Sequence, residues 1–189
     1  VELGGESTGV GGQLALAAGP YGPLTLGVTY RSRVRLSYTG KANFEDIPPE
    51  FGATLRDGAV TTSLTLPDRL AVGGAVALAN TRVSLDLEYF AWSTFSSLDI
   101  AFVDDATPDV QQPRDWHDTM TVRAGLEQRD VFMKHLALRA GLAYDPTPSP
   151  AETLSPSLPD GDRLLFTLGA SYALGELAAH LSYGRVVFL

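Results

Sequence analysis

The chain has 189 residues, a formal net charge of −8 and a pI near 4.7, so it offers no basic face to a nucleic acid. It has no cysteine, which excludes a disulfide framework and a thiolate zinc site. Its apolar fraction is 44% and its mean hydropathy +0.04, and no run of 18 apolar residues supplies a transmembrane helix.

Strand signals begin early and continue to the end. The second run shows the period most clearly. Leu24, Leu26, Val28, Tyr30, Val34, Leu36 and Tyr38 share one parity, and Thr25, Gly27, Thr29, Arg31, Arg33, Arg35 and Ser37 the other. One face is apolar and one polar, as a strand's period of two requires. The pattern recurs in Val83, Leu85, Leu87, Tyr89 against Arg82, Ser84, Asp86, Glu88, and in Met120, Val122, Ala124, Leu126 against Thr119, Thr121, Arg123, Glu127. It returns around Leu138 to Tyr144 and Leu164 to Tyr172. Eight strands are expected, at roughly 8–18, 23–39, 60–78, 82–98, 118–129, 135–145, 163–174 and 177–188.

The links between these strands alternate in length. Short links lie at 18–22, 79–81, near 129–130 and at 175–176, and long ones at roughly 41–59, 99–118 and 145–162. Tight turns at one rim and long loops at the other mark an antiparallel transmembrane β-barrel of the bacterial outer membrane. The run from Leu24 to Tyr38 would span about 50 Å, longer than a bilayer crossing needs. Tyr38, Tyr89, Tyr144 and Tyr172 are expected in the interfacial aromatic girdles. A soluble lipid-binding barrel is the rival reading; it needs the apolar parity inward and shorter strands. A small porin-like or structural barrel closed by eight strands is the other.

With short turns inside, the first strand descends and the last ascends, so both ends of the chain fall outside the cell. A further descending strand is expected beyond Leu189. Val1 opens directly into Glu2 and a glycine-rich stretch with no leader pattern, so an exported protein would begin further upstream.

The long links collect acids: Glu45, Asp46, Glu50 and Asp57; Asp104, Asp105, Asp109, Asp115 and Asp118; Glu152, Asp160 and Asp162. They read as solvated loops, with divalent-ion bridging to surface lipid as the sharper alternative. Gly5-Glu6-Ser7-Thr8-Gly9 has the spacing of a nucleophile elbow but no helical period after it. His117, His135 and His180 lack metal-ligand spacing. No catalytic group, metal or cofactor is expected.

Arg31, Arg33 and Arg35 line the polar face of one strand, and Arg69, Arg82, Arg123 and Arg139 share that parity on others. Two readings stand. They offset inward acids such as Asp86 and Glu88 in an ion-pair ladder, or they grip an anionic head group through charge-assisted hydrogen bonds. Phe90, Trp92, Leu98 and Ile100 break the polar parity and would meet an acyl tail, or pack against a loop or plug. Pro67 cannot donate to a ladder and marks a kink, which would turn Asp68 away from lipid.

Several segments, in order, resemble the outer-membrane long-chain fatty acid and hydrocarbon transporter family of the FadL/TodX type. They are Val28-Thr29-Tyr30-Arg31-Ser32-Arg33-Val34, Leu64-Thr65-Leu66-Pro67-Asp68, Tyr89-Phe90-Ala91-Trp92-Ser93-Thr94-Phe95 and Trp116-His117-Asp118-Thr119. The strongest is Leu138 to Pro148, followed by Leu158-Pro159-Asp160-Gly161-Asp162-Arg163. The resemblance implies that residues 1–189 are part of a fourteen-stranded barrel, lacking an N-terminal hatch, the first strands and the last. It implies a monomer in the lipid of the outer membrane, no enzymatic activity, and capture of a hydrophobic small molecule at the outer side before passage through the barrel. Arg163 is the expected carboxylate contact, with Asp160 and Asp162 as its structural companions.

Overall fold

The computed structural model describes residues 2–52, 54–103, 107–156 and 158–189; Asp104 and Asp105 lie outside them. Its strands are β1 (Glu2–Glu6), β2 (Gln13–Tyr21), β3 (Leu24–Arg31), β4 (Val34–Asn43), β5 (Gly58–Leu66), β6 (Arg69–Leu78) and β7 (Thr81–Phe90). They continue as β8 (Ser97–Phe102), β9 (Val110–Pro113), β10 (Thr119–Arg129), β11 (Leu136–Asp145), β12 (Arg163–Leu174) and β13 (Leu177–Phe188).

Eight of them form one antiparallel sheet in the order β13-β12-β11-β10-β7-β6-β3-β2, and the other five form a second sheet, β1-β4-β5-β8-β9. The eight-stranded sheet holds one piece of each expected strand. Three of those strands are not continuous, however. The run 23–39 breaks at Ser32-Arg33, 60–78 at Pro67-Asp68, and 82–98 at a 3-10 turn over Trp92–Thr94. Proline accounts for the second break directly. The expected first strand, 8–18, is replaced by β1, a coil over 7–12, and β2. All four breaks fall at one level, and above it the chain rises into the five-stranded sheet.

Register fixes which side chains share a face. Arg31 pairs with Arg69, Thr29 with Ala71 and Gly27 with Gly73, while Tyr30 pairs with Leu70 and Val28 with Val72. Across β7, β10, β11 and β12 the same rule puts Glu88, Thr121, Arg123, Asp145 and Arg163 on one side and Leu87, Val122, Leu142 and Phe166 on the other. The apolar side has no cover: Leu70, Val72, Leu85, Leu126, Leu142, Leu168 and Leu181 are all exposed. The largest fully buried side chains are instead Glu88 and Thr121, on the polar side. Apolar outside with polar inside is the arrangement of a barrel wall in lipid, and the opposite of a soluble lipid-binding barrel. At 8–12 residues, the strands of the eight-stranded sheet match a tilted bilayer crossing of about 9–11.

The inner links are tight, at 22–23, 79–80, 130–135 and 175–176. Gly22 and Gly175, each at φ +59°, supply the left-handed residue two of them require. The breaks also revise the aromatic girdle. Tyr38 belongs to β4, above the seam, and Tyr30 takes the outer girdle position beside Tyr89 and Tyr144. Tyr172 lies near the inner end, in register with Leu136.

Candidate ligand site at the seam

A cavity of about 470 Å³ opens where the two sheets part. Its floor is a register row of the eight-stranded sheet: Gln13 pairs with Arg31, Arg31 with Arg69, and Arg69 with Phe90. Its upper wall includes Val34 and Leu66, paired in the outer sheet. The breaks themselves contribute Gly11, Gly12, Ser32, Pro67 and Trp92. Gly11 suits this place, since a Cβ there would come within 2.5 Å of the Val34 side chain. A shallower hollow of about 340 Å³, lined by Gly27, Gly73, Ser84 and Asp86 among others, has no aromatic and no basic side chain.

The aromatic wall of the cavity is braced from behind. The rings of Phe90 and Trp92 stack at 6.3 Å, Trp92 meets Trp116 edge-on at 5.0 Å, and Phe95 meets Trp116 at 4.8 Å. Phe95 is buried. Edge-to-face contacts of this kind fix ring orientation as well as adding contact energy. Trp116 stands between β9 and β10, so the connection over 114–118 holds up the site although it does not line the cavity.

The two floor arginines differ. Arg69 forms an ion pair with the fully buried Glu88, which Arg123 engages from the other side, and its guanidinium lies 5.6 Å from the centre of the Phe90 ring. A buried carboxylate is tolerated because two cations flank it. Arg31 is exposed, and among the described residues no carboxylate pairs with it. The cavity therefore presents one uncommitted cation beside an aromatic and aliphatic wall.

The remaining expected site residues are dispersed. Arg33 donates to Asp68 from its backbone N–H at 3.0 Å and its Nε at 2.7 Å. Arg35 is on β4 opposite Thr65, in the outer sheet. Leu98 and Ile100 are on β8. Arg163 stands on β12, separated from β6 by three intervening strands, with Asp145 at 2.8 Å and Asp160 at 3.6 Å. Asp160 also accepts the Thr147 hydroxyl at 2.8 Å. Asp162 faces elsewhere and accepts from Tyr144. Of the expected ligand contacts, Arg31, Phe90 and Trp92 meet at the cavity, together with the kink residue Pro67.

One arrangement escaped the sequence reading. Three times, an aspartate immediately before a descending strand accepts a tyrosine hydroxyl from the neighbouring ascending strand and a backbone N–H just above that tyrosine. Asp68 takes Tyr30 at 2.7 Å and the Arg33 N–H. Asp118 takes Tyr89 and the Ser93 N–H at 2.8 Å. Asp162 takes Tyr144 at 2.7 Å and the Thr147 N–H at 2.9 Å. Each clasp closes the outer mouth of one hairpin, and Asp68 closes the one beside the cavity. The Tyr30 hydrogen bond, then the Arg33 N–H, hold the Asp68 carboxyl below its ordinary range. The same pairing with Tyr89 lowers Asp118, and the Thr147 N–H, followed by Tyr144, lowers Asp162. The sequence signal was the repeated aspartate before an inward Arg or Thr: Asp68-Arg69, Asp118-Thr119, Asp162-Arg163.

Fold and site together define a wall of an outer-membrane β-barrel with a ligand-sized recess near its outer mouth. Residues 2–180 match the model of a protein family described as outer membrane protein transport protein (OMPP1/FadL/TodX), and the chain belongs to that family. The long-chain fatty acid transport protein of Escherichia coli O6:H1 (strain CFT073) is 28% identical over 166 residues, covering 81% of this chain and 36% of that protein. Outer membrane protein P1 of Haemophilus influenzae is 28% identical over 160 residues, covering 84% of this chain and 33% of that one. The crystal structure of a Pseudomonas aeruginosa FadL homologue superposes with a TM-score of 0.81 at 22% identity, over 94% of this chain and 44% of the other. The Pseudomonas putida toluene transporter TodX gives 0.59 at 22% identity, over 95% and 48%. The chain thus spans about a third of the curated relatives it matches, and its place is the bacterial outer membrane.

Proposed function

We propose that the protein carries hydrophobic small molecules across the outer membrane without chemically altering them, and that the seam cavity takes up an amphipathic anion of the long-chain fatty acid class. The observation that carries this reading is the uncommitted Arg31 beside Phe90 and Trp92. The aromatic and aliphatic wall receives the tail, where each buried methylene contributes about 0.8 kcal/mol. Arg31 receives the carboxylate, and in a wet site that contact is worth only about 0–1 kcal/mol. The tail sets affinity and the arginine sets orientation. Arg163, already held by Asp145 and Asp160, serves the wall rather than the ligand. The family's transport role supports the reading at the level of the whole protein.

The larger barrel of fourteen strands with a separate hatch, working as a monomer, belongs to the same proposal. It fits the open order of the eight-stranded sheet, in which no pairing joins β2 to β13 among the described residues, better than a closed eight-stranded pore does.

Equilibrium binding to the full-length protein tests the site. Arg31→Ala should weaken binding of a long-chain fatty acid several-fold and leave an uncharged alkane of equal length unchanged. Trp92→Ala should weaken both. Equal loss of both ligands in Arg31→Ala would move Arg31 from ligand contact to structure.

A further inference from the structure

Among the described residues, the outward positions of the eight-stranded sheet carry no charged side chain, with one exception. On β3 they are Leu24, Leu26, Val28 and Tyr30, and on β12 Leu164, Phe166, Leu168, Ala170, Tyr172 and Leu174. Tyrosines aside, the uncharged polar pair Thr81 and Gln128 sits at the inner margin, and the two hydrogen-bond to each other. Among the described residues of these eight strands, the one charged side chain at an outward position is Arg185. It is in register with Phe166, next to Tyr183 opposite Leu168.

A charge on the lipid face is tolerated near an interface and resisted at the midplane. Arg185 lies three residues below Phe188, the outer end of β13. That is about 10 Å along the strand, and less along the membrane normal because barrel strands tilt. The level above it is polar: Leu189 donates its N–H to the Asp162 carbonyl at 2.9 Å, and Asp162 is clasped by Tyr144. An arginine there can lay its stem on apolar neighbours and raise its head to the polar boundary. Arg185 is exposed, and among the described residues no acid pairs with it.

We infer that Arg185, set among Phe166, Tyr183 and Val187 on the outward face of β13, is a contact for the phosphate of an outer-leaflet lipid head group. A planar guanidinium suits that ligand because it makes two parallel hydrogen bonds to phosphate oxygens. The apolar residues around it face the acyl chains of the same lipid. The contact lies on the opposite side of the wall from the seam cavity and is independent of transport.

Native mass spectrometry of the full-length protein in mild detergent tests it, with diphosphorylated lipid A, its dephosphorylated counterpart and inorganic phosphate as probes. The wild type should retain the phosphorylated lipid in preference to the other two. Arg185→Leu should reduce that retention about fivefold, Arg185→Lys should keep part of it, and the inward-facing Arg82→Leu should leave it unchanged. Retention in Arg185→Leu equal to wild type would overturn the inference. So would displacement by inorganic phosphate at the lipid's own concentration, which would mark a general anion contact. Heat-modifiable gel mobility checks folding. Removing an unpaired charge from a lipid face should not impair it, so a misfolded Arg185→Leu would assign the arginine a structural partner and likewise overturn the inference.

Discussion

The two sheets are made from the same stretches of chain, yet they bury opposite kinds of residue. β3 runs into β4, β5 into β6, and β7 toward β8, with the seam between. Above it the packing is ordinary: Ala42, Val60 and Phe95 are buried, and the rings of Phe44 and Phe102 stack at 6.0 Å. Below it the outward apolar residues are exposed, and the buried side chains lie on the inward side: Glu88, Thr119 and Thr121, with Ala143 beside them. Burial follows the solvent on each side. Water drives apolar groups together above the seam, whereas lipid accepts them below it and drives ionic groups into the lumen wall.

The comparison can be broken most severely by moving a charge across it. Leu85→Arg, on the outward face midway along β7, should cost about 2–4 kcal/mol of barrel stability, while Ser63→Arg on the exposed part of β5 should stay within about 0.5 kcal/mol. Urea titration of the refolded protein in lipid vesicles would measure both. Next in size is Glu88→Gln, which leaves Arg69 and Arg123 facing each other without their shared carboxylate. A loss of about 1–3 kcal/mol is expected, moderated because both arginines are partly exposed. The aromatic wall should loosen with it, visible as altered Trp92 and Trp116 fluorescence.

The clasps give the smallest and most local effect. Asp68→Asn should cost about 1 kcal/mol and raise hydrogen exchange at the Arg33 amide, leaving β7 to β13 unaffected. Because the folded-state values of Asp68, Asp118 and Asp162 lie below the ordinary 3.8, the stabilisation they give is complete above that value. It is lost only as pH falls through the lowered folded value. The outer mouth should therefore be invariant from pH 5 to pH 8 and open only in stronger acid, as pH falls below the ordinary carboxylate range. Exchange at the Arg33, Ser93 and Thr147 amides across pH would show it.

Strand parity and loop asymmetry were legible because both follow from a period of two and a one-sided solvent, which any window of Leu24 to Arg31 displays. The seam was less so. Pro67 announced one break, but Ser32-Arg33 carries no breaker, and the run continued past it as if Arg31, Arg33 and Arg35 shared a strand. What ends β3 is its neighbour: once Pro67 stops β6, Arg31 is the last residue with a partner below. That is a tertiary cause, invisible in the run itself. The cavity was half legible, since Phe90 and Trp92 broke parity, while Val34 and Leu66 looked like ordinary apolar-face residues until the seam turned them over the floor. The surroundings of Arg163 were half legible: its own motif supplies Asp160 at 3.6 Å, whereas Asp145 at 2.8 Å reaches it by register from β11.

The central claim, that the apolar parity of the eight-stranded sheet meets lipid and the polar parity meets water, rests on adjacent residues behaving oppositely. Val28 and Thr29 on β3 are such a pair, and the chain has no cysteine of its own to interfere. Val28→Cys and Thr29→Cys, each placed in the full-length protein in lipid vesicles, can be treated with a small membrane-impermeant thiol reagent. The account predicts rapid labelling at position 29 and protection at position 28. Equal labelling, or the reverse order, would contradict it.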